Sequence, residues 1–132
     1  MKFEVGSRYS REQIQHELGG EIQSYLPQHG GKIVAGCFAV KMNPDAPFEI
    51  QVGDAPKVKE KAKLLKQCGN TIPVFLKSKR RGFTEGIWEY LGLYKCSELI
   101  DDPEMIRQAE EKSGRQGIIF LLRLERISEK ND

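Results

Sequence analysis

The stretch from Pro73 to Lys95 constrains the fold more than any other. An apolar run, Pro73-Val74-Phe75-Leu76, passes into a basic segment, Lys77-Ser78-Lys79-Arg80-Arg81. Gly82 and Gly86 punctuate the turn that follows, and an aromatic run covers Ile87 to Tyr94. Two strand-forming segments joined by a polar loop predict an antiparallel hairpin that holds its positive charge in water. Such a pair argues against a doubly wound parallel sheet. The joining loop is longer than a tight two-residue turn, and long loops inside compact domains are often functional.

The rest of the chain supplies partners for that hairpin. Lys2 to Val5 reads as a short first strand. Ser10 and Gln13 match a capping box, with Ile14 and Leu18 on one face of the helix and Gly19-Gly20 as its stop. Lys32 to Val40 is apolar and β-branched, which predicts one strand. After the turn cluster Asn43-Pro44-Asp45-Ala46-Pro47, the residues Phe48, Ile50 and Val52 alternate with Glu49 and Gln51, the period of a half-buried strand. Ala55 to Cys68 has helical spacing at Val58, Ala62 and Leu65, with a stop at Gly69. Asp102-Pro103 starts a helix that reaches about Lys112, and Gln116 to Ile127 is a last strand. Three helices among more numerous strands predict an α+β chain, built on a curled sheet or small β-barrel with flanking helices. Its 132 residues fit a single domain spanning residues 1–132.

Composition narrows the function classes. The net charge is only +2, so any anion-binding face must come from local clustering. No apolar run approaches membrane-spanning length, and MKFEVGSRYS is no signal peptide. Cys37, Cys68 and Cys96 are odd in number and form no CxxC unit. Free thiols in a reducing cytoplasm are therefore expected, with no metal site.

Lys77, Lys79, Arg80 and Arg81 either contact phosphates or form a solvated hairpin tip. The lysines of the 55–68 helix, interrupted by Glu60, read more simply as a solvated face. Trp88, Tyr90 and Tyr94 share one face of their strand, and either stack bases or fill the core; core use is expected for at least two of them. Phe48 is either a stacker or a core residue. Asp54 either reads a base edge or is a turn aspartate. Tyr9-Ser10-Arg11 places a tyrosine and an arginine near a possible pocket, although capping by Ser10 explains the triplet. No GxSxG, HExxH or Walker pattern occurs, and His16 and His29 lack partners at ligand spacing.

Several segments, taken in order over residues 30–127, resemble the SRA (YDG-type) domains that recognise modified cytosine in DNA. Val34-Ala35-Gly36 resembles the start of a DNA-contacting loop. Ala46 to Gly53 is similar to the strand beside the base pocket. The helix running into Ile72 to Lys77, the segment Trp88 to Lys95 and the closing strand Gly117 to Leu124 complete the likeness. The YDG triplet reads Tyr90-Leu91-Gly92 in this chain. The compact SRA-like or PUA-like modules of prokaryotic modification-dependent restriction systems are the nearest pattern.

The resemblance implies a non-catalytic module that reads a modified DNA duplex, with base flipping and without a cofactor. It implies a base pocket of Phe48, Gln51, Gly53 and Asp54, with Phe48 stacking and Asp54 reading the base edge. Lys32, Ile33, Val34 and Gly36 would lie on the loop that enters the groove, and Lys77, Lys79, Arg80 and Arg81 would hold phosphates. Cutting would belong to a nuclease domain or subunit. The rival expectations are a PUA-like RNA binder, a small-molecule or nucleotide-binding barrel with enzymatic activity, and a protein-interaction module.

Overall fold

A computed structural model describes residues 3–77 and 86–127 of the chain. In order, the elements are β1 (Arg8–Ser10), α1 (Arg11–Leu18), β2 (Gln28–His29), β3 (Lys32–Ile33), β4 (Gly36–Ala39) and β5 (Glu49–Gly53). They continue with α2 (Pro56–Cys68), β6 (Ile72–Lys77), β7 (Ile87–Ile100), α3 (Pro103–Ser113) and β8 (Ile118–Ile127). The chain is α+β, and its main sheet is mixed. The strand order is β4-β6-β7-β8-β5, with β1 on the start of β7 and a separate β2-β3 ribbon.

The expected hairpin is present as the antiparallel pair β6-β7, but its second arm is much longer than the aromatic run. β7 is the spine of the sheet. Its first part pairs with β1 and β6, and its last part pairs with β8. Two irregularities let one strand do both. Val74 and Phe75 face Gly92 and Tyr90, so Leu91 is an extra residue, and Ser97 is another between the partners of Leu124 and Arg123. Bulges bend a strand and increase its twist. Gly92 sits at the first bend with φ of 116°, a backbone setting that side chains resist. The bend divides the three aromatics. Trp88 and Tyr90 pack with Ile14, Cys37 and Phe75, whereas Tyr94 packs with Phe38, Ile50, Leu65 and Leu122. All three are core residues.

The helices begin and end where local chemistry dictates. At α1, Ser10 Oγ accepts from Gln13 N at 3.1 Å and Gln13 Oε1 accepts from Ser10 N at 2.8 Å. α2 starts at Pro56 and stops at Gly69; its buried residues Ala62 and Leu65 face β3, β5 and β7. α3 is capped by Asp102, stops at Gly114 and packs Ala109 on β8.

Two expected strands are corrected. The first described strand lies at Arg8–Ser10, paired with Ile87 to Glu89; of the expected strand Lys2 to Val5, Lys2 lies outside the described residues and residues 3–5 form no strand. Phe3 instead packs edge-on against Tyr9 and Phe75, at 4.9 and 5.0 Å between ring centres. The single strand expected over Lys32 to Val40 is two strands. Val34 N turns to Pro27 O and Cys37 N to Tyr25 O, so the 25–27 segment breaks the run at Val34-Ala35.

β4 and β5 are the two edges, and they share no backbone ladder among the described residues. A flat five-stranded sheet would hold them roughly 19 Å apart. Side chains instead bridge them. Asn43 Oδ1 accepts from Gln51 N at 2.8 Å, and Arg115 Nη1 donates to Met42 O and Gln51 O at 3.1 and 3.2 Å. The sheet is thus strongly curled, with a seam held by Asn43 and Arg115.

Candidate nucleic-acid interface

The residues expected to form one base pocket are spread along β5. Phe48 precedes the strand, is 56% exposed and lies 5.9 Å from the Tyr94 ring. Asp54 follows the strand and pairs with Lys59 at 3.2 Å. Six residues of extended chain put the two roughly 20 Å apart, too far to hold one base between them. Gln51 is buried and fully engaged: Nε2 donates to Ala109 O at 3.0 Å, and Oε1 accepts from Ser113 Oγ at 2.7 Å. It ties α3 to β5. Gly53 ends β5 with open space beside it.

The expected groove loop also divides. Ile33 is fully buried in the main core, and Gly36 opens β4 with its Cα against Phe38. A Cβ at Gly36 would stand 2.7 Å from that ring. Val34 is half-buried behind the β2-β3 turn. Only Lys32 of the four is exposed, beside His29, Gly30 and Gly31 at the ribbon tip. A groove-entering element here is therefore the tip at 29–32, because Ile33 and Gly36 are committed to the interior. Of the expected phosphate holders, Lys79, Arg80 and Arg81 lie outside the described residues. Lys77 ends β6 with Nζ 5.2 Å from the Trp88 ring centre.

Lys77 instead opens onto a cleft of about 550 Å³ along the seam. Its wall is β4, from Cys37 to Ala39, and its ends differ. One end carries Arg11, Lys77 and Trp88. The other carries Tyr25, Asn43, Gln51 and Arg115. Three cations line it, and no carboxylate does so among the described residues. α1 places Arg11, since the capping box fixes the first turn, and Arg11 Nη2 donates to Glu21 O and Ser24 O at 3.0 Å each. The Ser10 cap and the pocket arginine are thus the same piece of chain.

Electrostatics define what the cleft can do. Tyr25 donates to Val58 O at 2.6 Å, and burial pushes its phenol well above the ordinary value despite nearby Arg115. It stays a neutral, fixed aromatic wall. Burial lowers Arg115 from its usual range, while three acceptors pin its Nη1. Burial pushes the Cys37 thiol up to about 12, so it is no thiolate nucleophile at neutral pH. Among the described residues no three His, Cys, Asp or Glu side chains gather as metal ligands would. No described helix is long and apolar enough to cross a membrane.

Sequence reasoning missed Tyr25 and Arg115 as site residues. Tyr25 sits in an irregular segment without periodicity. Arg115 stands alone between Gly114 and Gly117, a turn whose target lies some 64 residues away at Gln51. Neither leaves a local signal.

No protein-family model matches the sequence, and no curated protein matches it. Solved structures do share its fold. The SRA domain of SUVH5 in complex with hemimethylated CG DNA superposes with a TM-score of 0.59 at 12% identity, over 96% of this chain and 90% of that one. The same domain bound to fully hydroxymethylated CG DNA gives 0.59 at 18% identity, with the same coverage. The modification-dependent TagI restriction endonuclease gives 0.58 at 16% identity over 98% of this chain. This chain spans 52% of the TagI chain, about half its length. The chain therefore has an SRA-like fold.

Proposed function

We propose that this chain is a non-catalytic module that reads modified cytosine in duplex DNA, holding the flipped base in the seam cleft. The observation that carries the reading is the cleft itself, an aromatic-lined cavity on an SRA-like fold whose described lining includes Arg11, Lys77 and Arg115 and no carboxylate. Structural neighbours described as complexes with methylated and hydroxymethylated DNA support it. Flipping a base costs a few kcal/mol, and stacking on an aromatic face returns about 1–3 kcal/mol per base. Tyr25 supplies such a face.

In this reading the curled sheet acts as a small SRA/PUA-like barrel with its seam as the mouth, and residues 1–132 work as one domain. The ribbon tip with Lys32 enters the groove. Lys77 and the basic run Lys79 to Arg81 hold backbone phosphates, and exposed Phe48 stacks outside the cleft. Asp54 and Gly53 lie at the far end of β5 and serve the rim. DNA cleavage belongs to a nuclease domain or subunit, as the partial coverage of TagI suggests, and the setting is cytoplasmic. Mobility shifts with unmodified, 5-methylcytosine and 5-hydroxymethylcytosine duplexes and with RNA test it. At least about tenfold tighter binding to one modified duplex is expected. Equal affinity for all duplexes, or a preference for RNA, sinks the reading.

A further inference from the structure

The segment between α1 and β2 forms no helix or strand, yet it carries Tyr25, an aromatic wall of the cleft, and leads straight into the β2-β3 ribbon. Backbone outside helices and sheets must find its hydrogen bonds elsewhere. Much of that holding comes from one side chain of α2. Lys61 Nζ lies 2.9 Å from Glu21 Oε2, 3.1 Å from Leu26 O and 3.5 Å from Gln28 Oε1. An ammonium has three N–H donors, and all three acceptors lie between residues 21 and 28. The Lys61 side chain is only 11% exposed, a depth that lysine seldom reaches unless it is paired. One turn earlier on α2, Val58 O accepts from the Tyr25 hydroxyl at 2.6 Å.

Tyr25 is thereby held on both flanks. Ser24 O before it accepts from Arg11 Nη2 at 3.0 Å, and Leu26 O after it accepts from Lys61. Its own carbonyl accepts from Cys37 N at 2.8 Å. The base of the ribbon is held to the same helix. Gln28 faces Ile33 across the ribbon. Glu21 Oε1 accepts from Gln28 N at 2.8 Å, while Asn70, just past the end of α2, donates Nδ2 to Ile33 O at 3.0 Å. The cleft wall and the ribbon that carries Lys32 therefore share one platform. Lys61 is the side chain that bonds to both parts, although it is not among the residues that line the cleft.

We propose that Lys61 is a positioning residue for base reading: it braces the Tyr25 wall and the ribbon as one unit, so that discrimination between modified and unmodified DNA depends on a side chain outside the cleft. The inference rests on the reading of the cleft as a base pocket.

The test compares Lys61→Met, Glu21→Met and Arg123→Met with the parent, using the full chain. The first readout is the ratio of affinities for duplexes with and without the modified base that the parent prefers. The two brace variants change net charge in opposite directions, so a field effect would move binding oppositely in them, whereas a lost brace lowers the ratio in both. Lys61→Met should lower it at least about fivefold, and Glu21→Met should lower it too. Arg123→Met breaks the Glu49 pair on β8, away from the cleft, and should leave the ratio within about twofold. The second readout is amide hydrogen exchange without DNA. Lys61→Met should speed exchange at Gln28 and Cys37 at least about tenfold and leave Leu124, which donates to Phe48 O, unchanged.

An unchanged ratio in Lys61→Met, a raised one in Glu21→Met, or an equal fall in Arg123→Met overturns the proposal, and so does unaltered exchange at Gln28 and Cys37. If the parent prefers a modified duplex and Lys61→Met keeps that preference, the positioning role falls and the base-reading function stands. If the parent shows no preference while Lys61→Met speeds exchange at those amides, the base-reading function falls and the brace stands.

Discussion

The seam cleft and the hollow between the β2-β3 ribbon and α2 are nearly equal in size, about 550 and 580 Å³, and each is lined by several cations. They differ in what surrounds those cations. The hollow contains Lys57, Lys61 and Lys63 but also Glu21 and Glu60. Lys61 Nζ meets Glu21 Oε2 at 2.9 Å and Leu26 O at 3.1 Å, so its charge is already answered within the protein. The cleft answers Arg11 and Arg115 with carbonyls, a side-chain amide and an aromatic face, and no carboxylate lines it among the described residues. What separates the two regions is therefore less how many cations gather than whether carboxylates gather with them among the described residues. Lysine density along α2 is the more visible feature in the sequence and the less informative one.

The largest expected effect is on the cleft side. Arg115 Nη1 reaches Met42 O, Asn43 Oδ1 and Gln51 O across the seam, at 3.1, 3.3 and 3.2 Å. Arg115→Met removes that crossing and leaves carbonyls of a half-buried seam unpaired, at a cost of about 2–3 kcal/mol. Urea unfolding should show a lower midpoint with an unchanged slope. A midpoint equal to that of the parent would mean that Asn43 alone holds the edges together. Modified-duplex binding should fall with it, since Arg115 is one of the three cleft cations.

A smaller effect is expected in the hollow. Lys61→Met breaks the Glu21 pair, but the Glu21 side chain is 52% exposed, so screening limits the loss to about 1 kcal/mol. The pH dependence identifies the pair. Burial tends to raise the Glu21 pKa, yet hydrogen bonds from Lys61 and from the Gln28 amide outweigh it and lower it from 4.5 to about 2. A carboxylate depressed in the folded state adds stability above its unfolded pKa, and that stability is lost as pH falls through the folded one. The gap between parent and Lys61→Met should thus be full above pH 4.5 and close as pH falls towards 2. A gap that stays constant across this window would show that Lys61 acts through Leu26 O and packing, not through Glu21.

The contrast between the two regions also explains what was legible in the sequence. Local rules located the helices, because Ser10 with Gln13, Pro56, and Asp102 with Pro103 act within one turn of chain. The β6-β7 hairpin was legible for the same reason. The break at Val34-Ala35 was not, since it depends on Pro27 and Tyr25, residues with no periodic signal. The likeness of short ordered segments carried the fold, and β7 shows why no single motif was enough: its bulge at Leu91 leaves the alternation of buried residues intact, and only the one at Ser97 interrupts it. The site was read least well. The resemblance grouped Gln51 with Phe48 in one pocket but could not show that Ala109 and Ser113 occupy the Gln51 amide. Nor could it bring Arg11, Tyr25 and Arg115 to one seam, because that requires the sheet to curl.

The smallest expected effect tests the α2 face as a DNA surface. Lys57 is exposed, and Lys63 Nζ lies 5.8 Å from the Phe120 ring centre, where its stem covers apolar surface. If DNA sits over the cleft, these lysines act only through the general field of the protein, which salt screens within about 8–10 Å. The Lys57→Gln, Lys63→Gln double variant should then change duplex affinity by no more than about twofold and leave the ratio between modified and unmodified DNA unaltered. A direct phosphate contact behaves otherwise, since each one lost reduces the salt slope by about one. Measuring binding at several salt concentrations separates the cases. A slope reduced by about two in the double variant, with Lys77→Gln silent, would move the phosphate path from the seam to α2 and reverse the ranking of the two regions.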